Sequence, residues 1–297
     1  MKKIILYFIL FMSCNVQQKT LSKTTIMFDK QGHRGCRGLM PENTILAMLK
    51  AIDLGVTTLE MDIVFTKDKQ AVVSHEPWFS NEITTKPDGS FIKFEEESKF
   101  NIYKMSYDEV ATFDVGLKPH PRFPQQQKMK AVKPLLSELL ENVEEYILLN
   151  KRKKVFYNIE TKSMPQGDNI FHPEPKEFVE LLMKEIYKAG LADRVIIQSF
   201  DFRTLQYLHQ HYPNQKTAML IEDFDKRSFD EQLKALGFTA TIYSPAYSFV
   251  NEILIKKCHE KNIKIIPWTV NDKEKIDELK ALGVDGIITD YPNLFNN

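Results

Sequence analysis

The chain has 297 residues, 43% of them hydrophobic and 27% charged, with 40 basic residues balancing 40 acidic ones. That size accommodates one large or two small domains with a sizeable core. No long basic run appears, so a nucleic-acid partner has no electrostatic footprint here.

The first residues read as an export signal rather than as part of a fold. Lys2 and Lys3 precede a nine-residue apolar run, Ile4 to Met12, which is too short to span a bilayer. Phe11-Met12-Ser13-Cys14 resembles a bacterial lipoprotein signal whose cysteine becomes the acylated N-terminus. Residues 1–13 are then the signal, 14–28 a polar tether and 29–297 the functional unit. An ordinary secretory signal cut near Cys14, or an uncut anchor, is the alternative. On the lipoprotein reading the protein is exported to the bacterial cell envelope, and a lipid on Cys14 is its sole tie to a membrane. Cys36 and Cys258 remain, one in the loop after the first strand and one near the end of a late helix. They are expected at opposite ends of a barrel, unbridged.

Apolar runs of strand length then alternate with amphipathic stretches. Strands are predicted at Lys30–His33, Thr58–Thr66, Ala71–His75, Val155–Glu160, Val195–Phe200, Thr217–Ile221, Ala240–Ser244, Lys264–Val270 and Gly286–Thr289. Helices are predicted at Asn43–Leu54, Lys133–Asn150, Glu174–Ala189, Phe202–His211, Asp230–Leu236, Phe249–Lys261 and Asp272–Leu282. Gly55, Gly190, Gly237 and Gly283 follow four of these, where a left-handed cap favours glycine. Nine strands is one too many for an eightfold barrel. Only Lys67-Asp68-Lys69-Gln70 separates the second from the third, too little for a parallel crossover, so these two must form an antiparallel hairpin. Eight parallel strands then remain, the pattern of an α/β protein with a (β/α)8 TIM barrel. The hairpin also returns His75 to the level of Glu60 and Asp62. Residues 76–132 break the rhythm and are too long for a plain loop, so they read as a cap-like insertion at the active rim.

The residues that carry chemistry cluster at predicted strand ends. Glu60 and Asp62 share one strand face, while Leu59, Met61 and Ile63 point the other way. Two inward carboxylates without cationic partners are costly to bury ionised, which a divalent cation resolves. Glu160 can complete the oxygen cage, as Mg2+ or Ca2+ prefers, and Lys162 on the same face can place a point charge on a phosphate. A structural Glu160–Lys162 ion pair is the plainer reading. Arg34 offers a forked contact to phosphate, and His33 and His75 at the rim can handle protons. Glu42, in a helix-opening loop, either complements the helix dipole or reaches the substrate or the outer shell of the metal. Trp268 is either a pocket wall or a core tryptophan. His120, His172, His209, His211 and His259 lack such company and are assigned no role.

Taken together, His33-Arg34-Gly35, Pro41-Glu42-Asn43-Thr44, Glu60-Met61-Asp62, His75, Glu160 with Lys162, Gln198-Ser199-Phe200-Asp201, Trp268-Thr269-Val270-Asn271 and Asp285 to Asp290 resemble the glycerophosphodiester phosphodiesterase family. The resemblance runs from Gly32 to Pro292. It implies a barrel, dependence on one Mg2+ or Ca2+, and conversion of a small glycerophosphodiester to glycerol 3-phosphate and an alcohol. It further implies Glu60, Asp62 and Glu160 as metal ligands, Arg34 and Lys162 on the phosphate, His33 as proton acceptor and His75 as proton donor. Glu76 stands where the family usually has aspartate and Cys36 where a small residue is common; neither is expected to touch a proposed ligand. The competing readings are a lysophospholipid- or phosphoinositide-directed phosphodiesterase of the same superfamily and a non-catalytic surface binding barrel.

Overall fold

The computed structural model describes residues 27–296, so the expected export signal and Cys14 lie outside the described residues. Nine strands form: β1 (Asp29–Gly32), β2 (Thr58–Phe65), β3 (Ala71–Val73), β4 (Phe156–Thr161), β5 (Val195–Ser199), β6 (Lys216–Ile221), β7 (Ile242–Pro245), β8 (Lys264–Ile265) and β9 (Gly286–Thr289). Their order is β8-β7-β6-β5-β4-β2-β1-β9, with every neighbouring pair parallel. Backbone hydrogen bonds from Asp285 to Ile265, from Ile288 to Pro267 and from Val270 to Ile288 bring the two ends together. The result is a nearly closed α/β barrel of eight parallel strands. β3 stands apart as the antiparallel partner of β2, in the register Ile63↔Val73 and Phe65↔Ala71. The four-residue link does make a hairpin.

The outer ring consists of α1 (Ile45–Asp53), α3 (Leu136–Leu149), α4 (Pro175–Lys188), α5 (Phe202–His211), α6 (Phe229–Leu236), α7 (Glu252–Glu260) and α8 (Lys273–Leu282), while a short α2 (Tyr107–Val110) belongs to the 76–132 segment. Several boundaries moved inward for physical reasons. α3 begins three residues late because 133–135 runs beside β3: Val73 donates to the Pro134 carbonyl, and Leu135 bridges Val72. α7 begins at Glu252 because the Asn251 side chain accepts from the Leu254 amide and caps it. β8 stops at Ile265, since Pro267 lacks the amide a strand ladder requires. α6 and α8 end at Gly237 and Gly283, both left-handed at φ 83° and 98°.

Two apolar layers hold the barrel. Leu59, Met61, Ile63 and Phe65 of β2 pack outward into the main core between strands and helices. Inside, Ile196, Ala218, Ile242, Ile266 and Ile288 plug the β5–β9 side. The β1–β2–β4 side is polar instead. Asn158 donates to Gln31 (2.9 Å) and to Gln198 (2.8 Å), so a chain of buried amides lies beneath the acids of β2. Residues 76–132 build a separate apolar cluster, including Phe79, Ile102 and Phe113, on Val64 and Val72 of the hairpin. Phe79 and Phe113 stack with centroids 4.2 Å apart. Cys36 and Cys258 are buried free thiols.

Phe65 and Phe178 meet edge to face at 4.8 Å, both almost fully buried, and tie β2 to α4. Phe178→Ala is expected to lower the unfolding free energy by about 3–5 kcal/mol in urea denaturation. A loss below about 1 kcal/mol would mean that this joint does not clamp the strand to the helix layer.

Candidate active site

The alternation along β2 puts Glu60 and Asp62 on the inner face at the C-terminal mouth, and β4 lays Glu160 beside them in register with Asp62. Each of the three offers an oxygen within 4.8 Å of the others, and all three are buried. Donors fix two of them. Glu60 accepts from Gln198 Nε2 (2.8 Å) and from the Arg34 amide (2.7 Å), and Asp62 Oδ2 accepts from Asn43 Nδ2 (2.8 Å). Lys162 Nζ donates to Glu160 at 2.7 Å and lies 3.8 Å from Asp62 Oδ1. That Asp62 oxygen is buried without a hydrogen-bond partner.

The electrostatics show how crowded this corner is. Burial and the neighbouring Asp62 hold Glu60 well above the carboxylate range. Burial, opposed by Lys162 and reinforced by Asp62, pushes Glu160 up to about 7. Burial works against ionised Asp62 too, but His75, Arg34 and Lys162 outweigh it and hold that carboxyl well below its usual range. Three buried acids cannot all stay ionised together without added positive charge. Together with the orphaned Asp62 oxygen, this fits a hard divalent cation ligated by oxygen.

Two imidazoles face the same space. His33 follows β1, and its Nδ1 is 2.6 Å from Asp290 Oδ1, which leaves Nε2 directed inward, 3.9 Å from Glu60. Burial pushes His33 down to about 4, with Asp290 opposing and Arg37 assisting. His75 follows the hairpin, and its Nδ1 is 2.6 Å from Glu76 Oε1. Burial, Arg34 and Lys162 lower its pKa as well. Glu76 thus anchors this ring directly.

Arg34 sits in the left-handed region at φ 49°, which turns its amide toward Glu60 and its side chain toward Glu42 and Asp62. Gly35 continues the turn at φ 82°, packed so closely on α1 that a Cβ would lie 2.7 Å from the Ala47 carbonyl carbon. Glu42 accepts from Arg34 Nη1 at 2.7 Å. It stands behind the guanidinium and off the cavity wall, kept ionised by Arg34, His120 and Arg37, which hold its carboxyl well below the usual range against the cost of burial.

His33, Arg34, Glu60, His75, Glu160 and Lys162 open onto one cavity of about 500 Å³ at the mouth. Trp268 forms its far wall, with Nε1 donating to the Ser244 carbonyl at 2.9 Å. Pro77, Trp78 and Arg122 of the 76–132 segment line it too. A larger groove of about 1010 Å³ lies between α3 and α4 at the opposite end of the barrel, away from these groups. Sequence reasoning missed the residues that aim the site. Asp290 carries His33 and also receives Arg37 (2.9 Å) and Asn271 (2.7 Å). Asn43 and Gln198 orient the acids, and buried His120 lies 3.8 Å from Glu42. Asp290 closes the last strand, so the strand-end criterion that selected His33 would have found it.

Fold and wall together define a barrel enzyme with an acid, imidazole and guanidinium centre at the C-terminal face of its strands. The glycerophosphoryl diester phosphodiesterase family model matches residues 33–294, and the chain belongs to that family. A glycerophosphodiester phosphodiesterase of Caldanaerobacter subterraneus is 30% identical over 265 residues, covering 89% of this chain and 95% of that one. A Silicibacter pomeroyi crystal structure assigned to the same enzyme type superposes with a TM-score of 0.80 at 29% identity, covering 90% of this chain and 91% of that one. The fold is also that of an Oleispira antarctica phosphodiesterase solved with the product sn-glycerol-3-phosphate, with a TM-score of 0.70, 20% identity and coverage of 91% and 97%.

The Asp290 carboxylate raises the affinity of His33 for a proton through both charge and hydrogen bond. Asp290→Asn is therefore expected to move the His33 midpoint below its wild-type value in an NMR titration. A midpoint at or above wild type would show that Asp290 does not govern this ring.

Proposed function

We propose that the chain hydrolyses glycerophosphodiesters to glycerol 3-phosphate and an alcohol, with one divalent cation, Mg2+ or Ca2+, held by Glu60, Asp62 and Glu160. The observation that carries this reading is the convergence of those three buried carboxylates, two of which line one cavity together with both imidazoles. Family membership and the activity named for the Caldanaerobacter relative support the substrate class. When bound, the cation supplies Lewis acidity at the phosphoryl oxygen.

The remaining roles belong to side chains. Arg34 and Lys162 place positive charge on the phosphate oxygens, where negative charge grows as the ester bond breaks. Asp290 accepts a hydrogen bond from His33 Nδ1–H, which leaves Nε2 with a free lone pair. Because burial keeps the ring neutral well below pH 7, Nε2 can take the proton of the attacking hydroxyl. His75 suits the opposite task. Its side chain is 30% exposed against 14% for His33, so it can recharge from solvent, and Glu76 stabilises the imidazolium. A phosphodiester anion beside Arg34 and Lys162 offsets the two charges that depress its pKa. His75 then protonates the departing alkoxide. Read with the signal and Cys14, the enzyme is exported and lipid-tethered at the cell envelope, where it scavenges deacylated phospholipid headgroups.

Purified protein incubated with glycerophosphocholine and Mg2+ or Ca2+ is expected to release glycerol 3-phosphate and choline, and chelator should stop the release. His33→Ala and His75→Ala should each lower kcat by about a hundredfold or more while keeping the wild-type circular dichroism spectrum. Release of phosphocholine, lysolipid cleavage in place of this reaction, or no turnover with metal present would overturn the proposal. The last result would favour the binding barrel.

A further inference from the structure

One carboxylate in the cavity wall has no part in this hydrolysis. Glu222 directly follows β6, which lies diametrically opposite β1 in the eight-strand order, so it lines the mouth across from His33. The cavity's cations are already matched: Arg34 with Glu42, Arg37 with Asp290, Arg122 with Glu82 and Lys162 with Glu160. Glu222 is half-buried, and among the described residues its carboxylate has no ion-pair or hydrogen-bond partner. Burial and adjacent Asp223 disfavour its charge, with only the field of Lys162 acting the other way.

Aromatic side chains line the same cavity. Phe200 meets Trp268 edge to face at 5.4 Å, and across the mouth Trp78 meets Phe171 at the same separation. The indole hydrogen bond to Ser244 holds Trp268 in place. Ring faces beside a single uncompensated carboxylate suit an alkylammonium, which gains from both the ring quadrupoles and the countercharge. A neutral polyol can donate hydrogen bonds to Glu222 but brings neither the countercharge nor the cation–π attraction.

We propose that this wall selects diesters whose alcohol is a cationic amino alcohol, choline or ethanolamine, with Glu222 as the countercharge and Trp268, Phe200, Trp78 and Phe171 as the surrounding faces. The proposal rests on the phosphodiesterase reading of the same cavity, since the phosphate has to lie by Arg34 and Lys162. A zwitterionic diester then spans the mouth with its anion at β1 and β4 and its cation at β6.

Two measurements test it. In turnover, wild-type kcat/KM for glycerophosphocholine and glycerophosphoethanolamine should exceed that for glycerophosphoglycerol by about tenfold, and Glu222→Gln should erase most of that ratio. An unchanged ratio in the variant, or an equal fall on all three substrates, would overturn the proposal; the second result would assign Glu222 to the glycerol moiety. Calorimetric titration with free choline and with its uncharged isostere 3,3-dimethylbutanol needs no catalysis. Choline should bind at least several-fold tighter than the isostere, and Glu222→Gln should remove that difference. Equal binding of the two by wild type would refute the headgroup site. Choline selectivity without turnover of any diester would instead refute the hydrolytic function and leave the headgroup site standing.

Discussion

Everything at the mouth of this barrel answers to one constraint: three carboxylates buried within reach of one another. Like charges at that spacing in a poorly hydrated corner repel strongly. Around them the chain has placed donors on a strand and on the tightly turned connection after β1. Gln198 comes from β5, Asn43 from just before the cap of α1, and the Arg34 amide from a left-handed turn. The two nearest cations, Arg34 and Lys162, compensate part of the charge but leave Glu60 and Glu160 disfavoured as anions. What remains is an attractive site for a cation, with stability given up locally in exchange for binding.

The hairpin and the segment it launches complete the arrangement. β3 runs back along β2 and delivers His75 to the rim, and Glu76 takes hold of the ring one residue later. Residues 76–132 then build their own apolar cluster, which gives Trp78 and Arg122 a rigid base at the cavity edge. On the other side Asp290, at the end of the last strand, gathers His33, Arg37 and Asn271 and thereby ties the closing strand to the first. The contacts that gather these segments at the mouth are also the ones that orient one imidazole.

Much of this was legible in the sequence because it depends on short-range spacing. The i, i+2 placement of Glu60 and Asp62 among apolar neighbours announces an inward acidic pair, and four residues between two apolar runs leave no choice but a hairpin. What stayed hidden depends on contacts distant in sequence or on exact chain direction. Asp290 meets His33 across 257 positions, and no local pattern announces that. Glu42, read as a helix-start acid or as a contact to the substrate or the outer shell of the metal, lies behind Arg34, with which it pairs, and off the cavity wall. Glu76 looked like an innocuous departure until the ring beside it was placed. Pro267 shortens β8 for a reason visible in the sequence, its missing amide, though the chain there keeps the strand's direction.

The central claim is that Glu60, Asp62 and Glu160 share one ion. Its most direct test is anomalous diffraction from crystals soaked in Mn2+, a redox-quiet substitute for Mg2+ and Ca2+ that favours the same oxygen ligands. One anomalous peak within bonding distance of an oxygen from each of the three carboxylates is the predicted result. A peak elsewhere in the barrel, or none at saturating Mn2+, would contradict it.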